Sequence, residues 1–200
     1  MKNKMRLFVT LIFILITGVM FAPAQTTPQT HDEFVQAGKE AVAKSDFNSA
    51  VKWYSKAIDI RLGDYEIIFA RAGCYAVLQK YDNALKDVEI VAKQHPENIA
   101  VLHFRATIYN VKKEWKKTMA DAETILRLDP NNAKGYQVRG GAFAGQKKYV
   151  EAEDDLTKAI TLDPKDHVNY ILRGALYEAQ GMAGKAQADK LKAEQLQRGN

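Results

Sequence analysis

The 200-residue chain has a single cysteine, Cys74. No internal disulfide can form, so the fold has to stand on packing alone, and Cys74 reads as a small buried apolar residue. The chain lacks any block of five or more like charges, and with it the footprint of a nucleic-acid binder. It has no serine-centred elbow, no phosphate-cradling loop and no HExxH pair, so nothing supports an enzyme. Its four histidines, His31, His95, His103 and His167, have no partners at repeating metal-ligand spacing. Neither metal nor cofactor is expected.

Long apolar runs are scarce too. The one run, residues 7–21, is interrupted only by Thr10, Thr17 and Gly18. It falls short of the ~20 residues a spanning helix needs. Lys2, Lys4 and Arg6 precede it, and Ala22-Pro23-Ala24 follows it, ahead of Gln25. A basic start, a short apolar stretch and a small-x-small site make a secretory signal peptide over 1–24, cleaved after Ala24, with a linker over 25–30. The expectation is an exported protein, periplasmic or secreted, touching membrane only through this segment if it stays uncleaved. Taking away its three basic residues leaves 26 Lys and Arg against 24 Asp and Glu, a net of +2 rather than +5.

What the chain has in abundance is repetition. Units begin at His31, Tyr65, Ile99, Ala133 and His167, each 34 residues after the last, giving 31–64, 65–98, 99–132, 133–166 and 167–200. Position 4 of the unit holds Phe34, Ile68, Leu102, Tyr136 and Tyr170; position 8 holds Gly38, Ala72, Ala106, Gly140 and Gly174; position 11 holds Ala41, Tyr75, Tyr109, Phe143 and Tyr177. That spacing marks one face of a first helix, with a small residue in its middle for close helix approach. After a polar break, positions 17, 20 and 27 mark a second helix, with Phe47, Ala50 and Ala57 in the first unit. Pro96, Pro130 and Pro164 stop that helix in the central units. Thr30, Asp64, Asn98, Asn132 and Asp166 precede the five units. All five are N-cap types.

A charge ladder accompanies the repeat. Arg71, Arg105, Arg139 and Arg173 occupy position 7 of units 2–5, and Asp87, Asp121, Asp155 and Asp189 occupy position 23. In an antiparallel hairpin these positions stand at about the same height. The expected role is structural ion pairing between helices; the alternative is an open arginine stripe gripping an acidic ligand.

These positions resemble the tetratricopeptide repeat (TPR), a 34-residue helix–turn–helix unit with a large residue at 4, Gly or Ala at 8, an aromatic at 11, Ala at 20 and 27, and Pro at 32. The resemblance covers 170 of the 200 residues. It implies an all-α, right-handed α-solenoid of five hairpins. Leu62 and Arg198 stand where proline is expected, and Lys190 and Glu194 give the last helix a polar face. That face is expected to cap the array. The resemblance also implies a ligand groove lined by the first helices. Phe69, His103, Thr107, Asn110, Lys134 and Gln137 would stand at its centre, with Gly73 and Gly141 leaving room for a ligand chain. The lysine–asparagine clamp of chaperone-binding TPR domains is absent, since Val35, Lys39 and Ala70 hold its places. The implied function is a non-catalytic scaffold of the cell envelope holding a protein or peptide in its concave face. The alternative is an assembly subunit using convex or edge surfaces.

Overall fold

The computed structural model describes residues 28–198, so the expected signal segment lies outside the described residues. Among the described residues ten helices follow one another: α1 His31–Ala43, α2 Phe47–Ile60, α3 Tyr65–Val77, α4 Tyr81–Gln94, α5 Ile99–Val111, α6 Trp115–Leu128, α7 Ala133–Gly145, α8 Tyr149–Leu162, α9 His167–Ala179 and α10 Ala183–Arg198. They form five antiparallel hairpins stacked into an all-α solenoid. No helix among the described residues is long and apolar enough to cross a membrane.

Each first helix begins where the repeat begins, and side-chain chemistry sets the point. Thr30 accepts from the Glu33 backbone while Glu33 bonds back, a reciprocal capping box. Asp64, Asn98, Asn132 and Asp166 each accept from exposed N–H groups of the helix that follows. Each first helix ends the same way. Residue 15 of the repeat takes a left-handed backbone, at Ser45 (φ 57°), Gln79 (57°), Lys113 (61°), Lys147 (62°) and Gly181 (72°). The next N–H then bonds back five residues, as Asp46 N–H does to Ala41 O and Lys148 N–H to Phe143 O, at 2.8 and 2.9 Å. This is the Schellman closure, which satisfies carbonyls orphaned by the helix end.

Small residues at position 8 admit the second helix of the hairpin. Gly38 lies against the Tyr54 ring, and a Cβ at Gly140 would stand 2.9 Å from Leu156. Ile125, Leu156 and Val88 are fully buried. Cys74 is buried and free, and burial pushes its thiol pKa up.

The charge ladder closes inside the hairpins. Arg71 pairs with Asp87 through Nε and Nη2 (both 2.8 Å), Arg105 with Asp121 (2.9 and 2.6 Å), Arg139 with Asp155 (2.7 and 2.8 Å) and Arg173 with Asp189 (2.8 and 2.9 Å). All four aspartates are buried. Arg71 and Arg173 also reach the preceding hairpin, donating to Ser55 Oγ (2.9 Å) and Thr157 Oγ1 (3.1 Å). The arginines are thus committed within the fold and present no open stripe. Hairpin 1 substitutes Ala37 and Trp53 for the pair. Trp53 stacks on Phe34 at 5.9 Å, with the Lys56 ammonium 5.1 Å from both rings.

The two ends of the array differ. On α1, Glu33 and Glu40 are exposed where later first helices bury Ile67 and Cys74, or Val101 and Ile108. At the other end the expected cap is only partial. Lys190, Glu194 and Gln197 rim a groove of about 340 Å³ whose floor is Ile171, Gly174, Ala175, Ala186 and Ala193. α10 carries polar residues on its outer face, but alanines beneath them leave an apolar trough.

Candidate functional site

The first helices α3, α5 and α7 carry all six residues expected at the groove. On α3, Phe69 is half-buried and meets Phe104 of α5 edge-on, 5.3 Å between ring centres at 77°. One turn on, Gly73 has nothing within 4 Å of where a Cβ would stand. The result is an aromatic shelf beside open space. Thr107 is exposed, its Oγ1 donating to the His103 carbonyl of its own helix (2.9 Å). Lys134 is exposed at the first turn of α7.

His103 and Gln137 do not stand open as expected. Gln137 is only 7% exposed. Its Nε2 donates to Asn169 Oδ1 (2.7 Å) and to Asp166 Oδ2 (3.2 Å), which leaves Oε1 to accept from His103 Nε2 (3.0 Å). The direction of the amide therefore fixes the imidazole tautomer. Asn169 is 0% exposed, and its own amide donates to the Asp163 carbonyl at 3.5 Å. Three first helices, α5, α7 and α9, are thus laced by one chain of polar side chains. Burial lowers the His103 pKa, and nearby Lys134 lowers it further, against the Gln137 hydrogen bond and Asp166, which raise it.

Asn110 is also spent internally. Its Nδ2 donates to the Val138 carbonyl (2.9 Å), crossing from α5 to α7. A Cβ on Gly141 would stand 2.9 Å from that same nitrogen. The space at Gly141 is therefore filled by Asn110 rather than left for a ligand, whereas Gly73 keeps its gap. A corrected lining of the groove follows: Phe69, Gly73, Thr107 and Lys134 offer surface, while His103, Asn110 and Gln137 build the wall behind it.

Asn169 and Phe104 take part without having been singled out from the sequence, and Asp166, expected only as an N-cap, also accepts from Gln137. Asn169 had a signal. It occupies position 3, where units 2–4 carry Ile67, Val101 and Gly135. A lone amide in an apolar column needs a buried partner.

Comparison with known proteins agrees on architecture. No protein-family model matches the chain. Heat shock protein STI1 of Saccharomyces cerevisiae is 31% identical over 68 residues, which is 34% of this chain and 12% of that protein. A tetratricopeptide repeat protein from Parabacteroides merdae superposes with a TM-score of 0.75 at 22% identity, over 87% of this chain and 67% of its own. A thermophilic TPR protein of Thermus thermophilus gives 0.71 at 17% identity, over 84% and 91%. MamA from Desulfovibrio magneticus gives 0.68 at 17%, over 86% and 98%. These likenesses establish the fold as that of the tetratricopeptide repeat proteins.

Proposed function

We propose that the chain is a non-catalytic scaffold of the cell envelope, holding a segment of a partner protein in the groove of its first helices. The fold typically mediates protein–protein interaction, and function has to be argued from the surface it presents. The observation that carries the reading is the Phe69 shelf beside the gap at Gly73. An aromatic ring held edge-on by Phe104, with open space next to it, is a rigid apolar anchor point. Thr107 and Lys134 supply polar contacts at its margin. An extended or helical segment with one large apolar side chain fits this chemistry.

The envelope address rests on the basic start, short apolar run and small-x-small site of residues 1–24. Sequencing the amino terminus of the protein recovered from producing cells checks it; the expected first residue is Gln25.

The groove is tested by photo-crosslinking in intact cells. A crosslinker at Thr107 is expected to give a discrete adduct, and Phe69→Asp to abolish it while leaving the helical spectrum intact. A crosslinker at exposed Ile90, on a second helix, is expected to give none. Adducts from Ile90 alone would replace the groove with the reading of an assembly subunit that uses its convex face.

A further inference from the structure

We infer that the edge formed by the turns inside hairpins 3 and 4 docks against an anionic phospholipid surface. This edge is separate from the groove, so either reading can fail alone.

Several residue choices along this edge do not serve local stability. The left-handed turn position favours glycine, yet Lys113 and Lys147 occupy it. The following residue is the N-cap of the second helix. Asp46 does that work in hairpin 1, accepting from the Ser49 backbone, but Lys148 makes no side-chain capping bond. Lys116 and Lys117 lie in the first turn of α6, which holds no acidic residue. There they face the positive end of the helix dipole. Each choice departs from the locally favoured residue, and each adds positive charge to one edge. Local rules broken repeatedly in the same direction point to function.

The charges are available. Among the described residues, Lys113, Lys116 and Lys147 are exposed and make no ion pair. Lys117 pairs with Glu114 at 2.6 Å. Exposed aliphatic side chains lie within three residues of these lysines along the chain: Val150 is 72% exposed, and Val111 is also exposed. Half-buried Trp115 and Met119 line a shallow hollow edged by Lys113, Lys116 and Lys117, with Glu114 and Glu123 as its only carboxylates. Across the molecule, the loops between hairpins carry Asp64, Glu97, Asp129, Asp163 and Asp166 against Arg61 and Lys165. The chain is therefore polarised, with the lysine edge facing away from the acidic one.

A bilayer fits better than an acidic protein. The exposed aliphatics Val111 and Val150 are short and sit on different hairpins, so they give a folded partner no large anchor side chain. Long lysine stems with mobile heads suit a fluid headgroup layer, where valine and tryptophan side chains enter its boundary. Each lysine near an anionic surface contributes roughly fivefold in affinity.

The test is flotation of the full chain with vesicles of phosphatidylcholine alone or mixed with one-third phosphatidylglycerol. The full chain is expected to float with the mixed vesicles and to release as salt rises. Lys113→Gly with Lys147→Gly is expected to raise the melting temperature and weaken binding together, a trade that purely structural lysines would not show. Adding Lys116→Gln and Lys148→Gln is expected to cost more than tenfold in binding. Lys93→Gln with Lys158→Gln, the same two-charge change as the glycine pair but away from this edge, is expected to cost little. Equal binding by the quadruple variant, or equal flotation with neutral vesicles, overturns the proposal. So does lysine-dependent capture of polyglutamate in a protein that ignores both vesicle types, an outcome that assigns the edge to an acidic protein.

Discussion

The seam along the first helices changes character halfway through the solenoid. From α1 to α5 it is apolar, with Phe69 edge-on to Phe104 above the largest core cluster, which runs from Phe34 to Tyr109. From α5 to α9 it is a chain of side-chain hydrogen bonds, His103 to Gln137 to Asn169, above two smaller clusters. Apolar contact is non-directional and survives small displacements. A buried amide chain does not, because each member that loses its partner keeps the full cost of desolvation. The second half fixes register and spends its polar groups on itself. The first half keeps surface free, which is why the groove is assigned to Phe69 and Gly73.

The arginine–aspartate ladder runs through both halves and serves as the control. Arg71→Met and Arg139→Met each leave a buried aspartate without its cation, and each is expected to cost about 3 kcal/mol in urea unfolding. Arg71 also gives up its bond to Ser55 Oγ, which Arg139 lacks, so its cost is expected to exceed that of Arg139 by no more than about 1 kcal/mol. A large difference would show that the halves differ in their hairpins and not only in their seam.

The seam itself is compared by removing one member on each side. Gln137→Leu strands Asn169 and His103, and is expected to cost about 2 kcal/mol. Phe69→Leu keeps an apolar contact at a half-buried site, and is expected to cost about 1 kcal/mol. The reverse order, measured by urea midpoint, would break the assignment of rigidity to the polar half. Gln137→Leu combined with Asn169→Leu should recover part of the loss, because paired apolar replacement leaves fewer orphans.

The repeat made the helices legible, since position 1 of every unit opens a helix and all five expected N-caps make their bonds. The ladder was legible as fixed spacing. The interior use of His103, Asn110 and Gln137 was not, because a period locates a residue on a helix face but not the side chain that meets it from two helices away. Gly141 shows the limit well: small residues at position 9 look alike, yet one gap is open and the other holds the Asn110 amide. The left-handed turn was hidden for another reason. Only Gly181 announces it, while Ser45, Gln79, Lys113 and Lys147 adopt it without the residue that favours it. Gln79→Gly is accordingly expected to stabilise by about 0.5–1 kcal/mol, and Gly181→Ala to destabilise by a similar amount, read by thermal melts.

The smallest expected effect separates the halves by pH. His103 is held neutral, its pKa lowered first by burial and further by Lys134, with Gln137 and Asp166 opposing. The unfolded chain therefore takes up a proton at higher pH than the folded one. Stability from this site is complete above about pH 6.5 and declines as pH falls from there toward the folded value. His103→Gln removes the titrating ring, so wild type should lose more stability than the variant between about pH 7.5 and pH 5. The same substitution at Phe69 adds no ionisable group and should leave the pH slope unchanged. Urea midpoints measured across that range decide it: a wild-type slope identical to that of His103→Gln would mean that the imidazole is as well solvated folded as unfolded, and the polar chain around it would lose its buried centre.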